Sequence, residues 1–84
     1  MMNQQKQNEI VDFIQVDSSH LKEVRYSKEK QELEIKFRNG DNYTYYQVPE
    51  EAYKELLQSN SKGKHFHTSI KGRYSFTYNG NTLK

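Results

Sequence analysis

The chain has 84 residues, room for one small domain and too few for a cofactor-binding α/β enzyme. Leu, Ile, Val and Phe supply 17 of them, a share bordering on disorder, while seven Tyr and four Phe return enough aromatic surface for a small core. A net charge of +2, no cysteine and no apolar run near the roughly 20 residues that cross a bilayer argue against an unfolded polyion, a disulfide framework, a thiolate metal site and a membrane span.

Residues 1–9 are mostly Asn, Gln and Lys and read as a disordered leader. No apolar signal core follows them, so the expected location is cytoplasmic, without secretion or a membrane partner. Ile10, Phe13 and Ile14 recur at helical spacing, while Ile14 and Val16 fit a strand equally well, and a run this short leaves both open. Asp17-Ser18-Ser19 is a turn or cap cluster. Val24 and Tyr26 then alternate with Glu23 and Arg25, predicting a half-buried strand over 21–26.

The clearest pattern follows. Leu33, Ile35 and Phe37 alternate with Glu34, Lys36 and Arg38, one apolar face and one charged face of a strand. Asn39-Gly40 suits a tight hairpin, and Tyr43-Thr44-Tyr45-Tyr46 forms the return strand. A two-residue turn sets Ile35 opposite Thr44 and turns Tyr43 and Tyr45 outward. A three-residue loop closed by Gly40 sets Ile35 opposite Tyr43 and Leu33 opposite Tyr45. The second register gathers five apolar side chains on one face and is the one a small core requires; the opposition of Arg38 and Asp41 favours the first.

Pro49 at the first helical position, with Glu50 and Glu51 after it, opens a helix whose inner stripe is Ala52, Tyr53, Leu56 and Leu57. Ser59-Asn60-Ser61 ends it and caps a second helix carrying Phe66 and Ile70, which Gly72 stops. Tyr74, Phe76 and Tyr78 alternate as a late strand or extended arm, and residues 79–84 read as a flexible tail. The expected fold is α+β: a three-stranded antiparallel meander covered on one face by two short helices, all within residues 10–78.

Order and spacing along this stretch resemble a KTSC domain, a short family found at the C-terminus of some lysyl-tRNA synthetases. The resemblance rests on Val16-Asp17-Ser18-Ser19, Leu21, Val24, Tyr26, Tyr43-Thr44-Tyr45, Val48-Pro49-Glu50, Ser61, Gly63, Phe66, Ile70-Lys71 and Tyr74. It implies a single-domain bacterial or phage protein with Tyr43, Tyr45, Phe66, Ile70 and Tyr74 as motif residues. It transfers no activity; RNA binding is suggested for the family. His67 stands where members often carry Asn.

Charge divides sharply along the chain. Every acid lies at or before Glu55, whereas residues 56–84 hold Lys62, Lys64, Lys71, Arg73 and Lys84 against none. Such a segment either attracts polyanions or is a solvated surface neutralised from elsewhere in the fold. The candidate contacts are Lys62, Lys64, His65, Lys71 and Arg73, with Ser61 at a helix start. Tyr46, on the face opposite Tyr43 and Tyr45, is the candidate for stacking on bases. His65-x-His67 does not make a metal site, since residues two apart on a helix diverge and no acid completes a set. Ser18-Ser19-His20 makes no nucleophile–base pair by adjacency alone. The reading is a non-catalytic module without cofactor or metal that binds RNA or another polyanion. The alternative is a phage-encoded module that docks on a host protein through a strand edge or the Tyr74–Tyr78 arm, and an open sheet edge also allows a homodimer.

Overall fold

The computed structural model describes residues 12–83. The expected leader, together with Ile10 and Val11, lies outside the described residues, as does Lys84. The α+β class stands, but the sheet is larger than the predicted meander. Five antiparallel strands follow sequence order: β1 (Ile14–Gln15), β2 (Leu21–Ser27), β3 (Glu32–Phe37), β4 (Asp41–Tyr45) and β5 (Phe76–Asn81). Helices α1 (Glu50–Gln58) and α2 (Lys62–Ser69) lie between β4 and β5.

Both added strands sit at the sheet edges. β1 contributes only the pairs Ile14↔Val24 and Gln15↔Glu23, too few residues for a period to be legible. β5 pairs along β4 from Tyr45↔Phe76 to Asp41↔Asn81. The expected domain end at Tyr78 therefore falls inside a strand. The segment read as a tail is tied back as far as Leu83: Thr82 N–H donates to the Gly40 carbonyl at 2.8 Å, and Leu83 N–H donates to Asn81 Oδ1 at 2.8 Å. The polar Asn79-Gly80-Asn81 run hides this pairing because its side chains bond laterally instead of filling a core: Asn79 Nδ2 donates to Asn42 Oδ1 at 2.8 Å.

The β3–β4 register is the core-gathering one, with Ile35↔Tyr43 and Leu33↔Tyr45. Gly40 adopts φ +97°, the left-handed backbone that closes a three-residue hairpin loop, and its N–H donates to the Phe37 carbonyl at 2.9 Å. Leu33, Ile35, Val24 and Leu21 are thereby completely buried, Tyr45 nearly so, and Tyr43 half-buried.

The helices close this face. α1 buries Leu56, and its Tyr53 ring stacks on Tyr26 with centroids 4.6 Å apart. The Tyr26 hydroxyl donates to the Val48 carbonyl at 2.6 Å, fixing the connection that delivers α1. Pro49 is the N-cap, one residue before the helix proper, where its extended ψ of 154° turns the chain from the sheet. α2 contributes Phe66, and Ile70 immediately follows it; both are buried. Ser61 caps α2 without a side-chain bond, and its own N–H donates to Ser59 Oγ at 3.0 Å. No described helix is long and apolar enough to cross a membrane.

Candidate functional site

The fold sorts charge by face. On the outer face of the sheet, Arg25 pairs with Glu34 at 2.6 Å and Lys36 with Glu23 at 3.9 Å. Phe13 lies over both cations, 4.2 Å from Arg25 and 4.2 Å from Lys36 to its ring centre. Lys28 and Lys54 both approach Glu50, at 3.6 and 3.9 Å. These ion pairs draw only on the acid-containing part of the chain. Among the described residues no carboxylate lies within 4.0 Å of the side-chain nitrogens of Lys62, Lys64, Lys71 or Arg73. Among the described residues these four cations are not neutralised by direct pairing.

Two adjoining cavities of the described residues lie on the helix-bearing side. The first is a cleft of about 700 Å³ between the β1–β2 loop and the start of α2. Its walls include Ser18, Ser19 and His20 on one side and Ser61, Lys62, Gly63, Lys64 and His67 on the other, with Asp17 its one carboxylate. Ser18 builds the loop: its Oγ accepts from the N–H groups of His20 and Leu21, both at 3.1 Å, and starts β2. Arg38 ties the loop to the hairpin, Nε donating to the Ser18 carbonyl at 2.7 Å. Gly63 is where the two walls meet, since an ideal Cβ there would lie 2.8 Å from His20 Nδ1 and 3.2 Å from His20 Cβ. The close neighbour is a loop side chain.

The second cavity is a groove of about 260 Å³ walled by Phe37, Tyr43, Tyr45, Phe66 and Phe76, with Asp41 and Lys71 at its rim. Phe37 and Phe66 wall both cavities, so cleft and groove adjoin. The rings pack edge-on or tilted around Tyr43: Phe37 at 5.9 Å, Phe76 at 5.6 Å and Tyr78 at 5.1 Å between centroids. Phe76 remains 57% exposed and Tyr78 50%. Burial, then Tyr43 close by, pushes the Tyr45 hydroxyl up to about 12. The Tyr78 hydroxyl is raised mainly by its 2.9 Å hydrogen bond to Asp41 Oδ1.

The candidate residues separate accordingly. Lys62 and Lys64 come together in the cleft; the Lys62 ammonium also donates to the Ser59 carbonyl at 2.9 Å. Lys71 stands at the groove. Arg73 is exposed in the turn beyond α2, its N–H donating to the Ile70 carbonyl at 3.1 Å. His65 lines neither cavity, and its Nε2 is buried without a hydrogen-bond partner. Tyr46 is not with the cations: it faces the outer side, half-buried, its hydroxyl 2.7 Å from Thr77 Oγ1. Of the motif residues, Tyr45, Phe66 and Ile70 are core, while Tyr43 and Tyr74 pack against it. Sequence reasoning did not bring Ser18 and His20 together with the start of α2, which they meet across the cleft only through the fold. For Phe76 and Tyr78 the signal was present as an alternating aromatic pair beside the cations.

The same arrangement occurs in other proteins. The family model described as KTSC domain matches residues 17–74. A lysine–tRNA ligase of Trichormus variabilis is 36% identical over 64 residues, which cover 76% of this chain and 11% of the ligase. The chain thus spans about a tenth of the length of the ligases it matches. An uncharacterised protein of Stutzerimonas stutzeri is 36% identical over 61 residues, covering 73% of this chain and 86% of that protein. The crystal structure of a KTSC domain protein from Yersinia pestis superposes with a TM-score of 0.80 at 32% identity, covering 84% of this chain and all of the other. The matched span runs from the Asp17 loop through the hairpin and both helices to Tyr74, taking in both walls of the cleft; this chain belongs to the KTSC domain family.

Proposed function

We propose that this protein is a non-catalytic binding module that holds RNA or another polyanion against the surface formed by α2 and the turn after it. The observation that carries the reading is the absence of carboxylate partners for Lys62, Lys64, Lys71 and Arg73 among the described residues. Cations paired within a fold have little left for a ligand; these four, without ion pairs among the described residues, are available to attract phosphate. Relatives that carry the module include lysine–tRNA ligases, whose substrate is an RNA. Cleft and groove hold no group of three or more His, Cys, Asp or Glu placed for a metal ion among the described residues, so the lining speaks for binding by charge and ring faces.

The test is affinity for a labelled oligonucleotide across a salt series. Each phosphate contact contributes a slope of about −0.7 to −0.9 in log K against log salt. Four contacts predict a steep decline, and replacing Lys62, Lys64, Lys71 and Arg73 by Gln flattens it. Binding that ignores salt, or no binding at low salt, removes the proposal. A second reading, docking of a host protein, is favoured by the open edge strand β5 with its exposed Phe76 and Tyr78. Capture that persists after nuclease treatment, at one partner per chain, distinguishes it.

A further inference from the structure

We infer that the groove between α2 and β5 is a stacking platform for unpaired nucleobases, so that the nucleic acid bound is single-stranded; the inference rests on the polyanion reading above. A domain this small has few aromatic rings to spare, yet Phe76 and Tyr78 leave half or more of their surface in water. Neither is loosely placed. Both belong to β5, whose pairing with β4 sets Tyr78 opposite Tyr43 and Phe76 opposite Tyr45. Tyr43 is flanked by both rings at 5.1 and 5.6 Å, and behind them Phe37 and Tyr45 close the groove floor. The platform is preorganised.

Size and charge choose the occupant. At about 260 Å³ the groove falls below the roughly 300–1,000 Å³ of pockets that enclose a small molecule, and it is open to solvent. It suits flat groups laid against ring faces. Lys71 stands at its rim, and across Phe37 and Phe66 it runs into the cleft that holds Lys62 and Lys64. Positive charge beside an aromatic floor, from Lys71 in its lining and from the adjoining cleft, complements a strand whose phosphates alternate with planar bases. Asp41, the carboxylate at the rim, is held by the hairpin end: it accepts from the Tyr78 hydroxyl at 2.9 Å and from Asn81 Nδ2 at 2.9 Å. A regular duplex keeps its bases stacked inside and offers this floor no face, whereas an unpaired strand does.

The full chain is titrated with a dye-labelled single-stranded RNA of mixed sequence, with the duplex of that sequence, and with heparin. Single strand is expected to bind at least about tenfold more tightly than duplex, the effect of one stacked base. Phe76→Ala and Phe76→Leu are both expected to lose about tenfold or more for the single strand while leaving heparin unchanged, because Leu keeps the apolar volume without a ring face. Equal affinity for single strand and duplex, or an unaltered single-strand affinity in Phe76→Leu, overturns the platform while heparin binding leaves the polyanion reading intact. Silence in all three titrations overturns both and leaves the groove to a protein. The wild-type comparison decides the matter even where a variant fails to fold.

Discussion

Tyr45 shows how one residue reports on the whole core. It is 3% exposed, in ring contact with Tyr43, Phe66 and Phe76, and burial raises its hydroxyl from the ordinary 10.0 to about 12. A folded-state value above the unfolded one stabilises the fold fully below about pH 10; that contribution, on the order of 2–3 kcal/mol, is lost as pH rises from there to about 12. The phenolate absorbance is therefore expected to rise in two steps, an early one from exposed tyrosines and a late one coincident with loss of secondary structure. A single step near the ordinary value, with the fold intact, would contradict the burial. Gly63 is a second case. Alanine is the better helix former by about 1 kcal/mol, but its Cβ would meet the His20 ring. A double-mutant cycle is expected to show Gly63→Ala more stabilising in a His20→Ala background than alone; equal effects would mean the two do not touch. The inward face of Tyr45 follows from the register, but the meeting of His20 and Gly63 is not legible from sequence, because only the sheet and helix that carry them bring them together.

At the scale of elements, legibility followed the strength of the period. β3 alternates apolar and charged residues without a break, and Asn39-Gly40 ends it, so strand, turn and register all follow from core demand. Pro49-Glu50-Glu51 and the Leu56 stripe delimit α1 to within a residue. The edges were harder. β1 is two residues long, and β5 ends in Asn79-Gly80-Asn81, residues that prefer turns and here bond along the sheet. That edge depends on the hairpin loop: an ideal Cβ on Gly40 would lie 2.5 Å from Asn81 Oδ1 and 2.7 Å from Leu83 Cγ, at φ +97°. Gly40→Ala is expected to destabilise by about 1–3 kcal/mol in denaturant melts and to loosen β5 with the hairpin. A neutral result would show the loop free to refold. α2 depends on few apolar anchors, Phe66 and the adjoining Ile70. Ile70→Ala is expected to cost about 2–5 kcal/mol by the same measurement and to weaken polyanion binding by releasing the helix that carries Lys62 and Lys64; unchanged stability would contradict its burial.

Across the whole molecule, the division of charge visible in the sequence becomes a division of surfaces. Three of the acids before Glu55 meet nearby cations: Glu23 and Glu34 on the outer sheet face, Glu50 beside α1. The acid-free last third supplies α2, its following turn and β5, and so brings Lys62, Lys64 and Lys71, which form no ion pair among the described residues, to the side where cleft and aromatic groove adjoin. Composition made the cationic segment legible. It left open whether the fold would neutralise it; the register turns Tyr46 to the outer face, as expected, and the final strand supplies its neighbour Thr77. The most direct test is amide chemical-shift mapping of the full chain during titration with a single-stranded oligonucleotide at low salt. The account predicts the largest changes from Lys62 to Arg73 and along Phe76–Tyr78, with the Arg25–Glu34 face silent. Changes centred on that outer face, or none anywhere on the helix-bearing side, would contradict it.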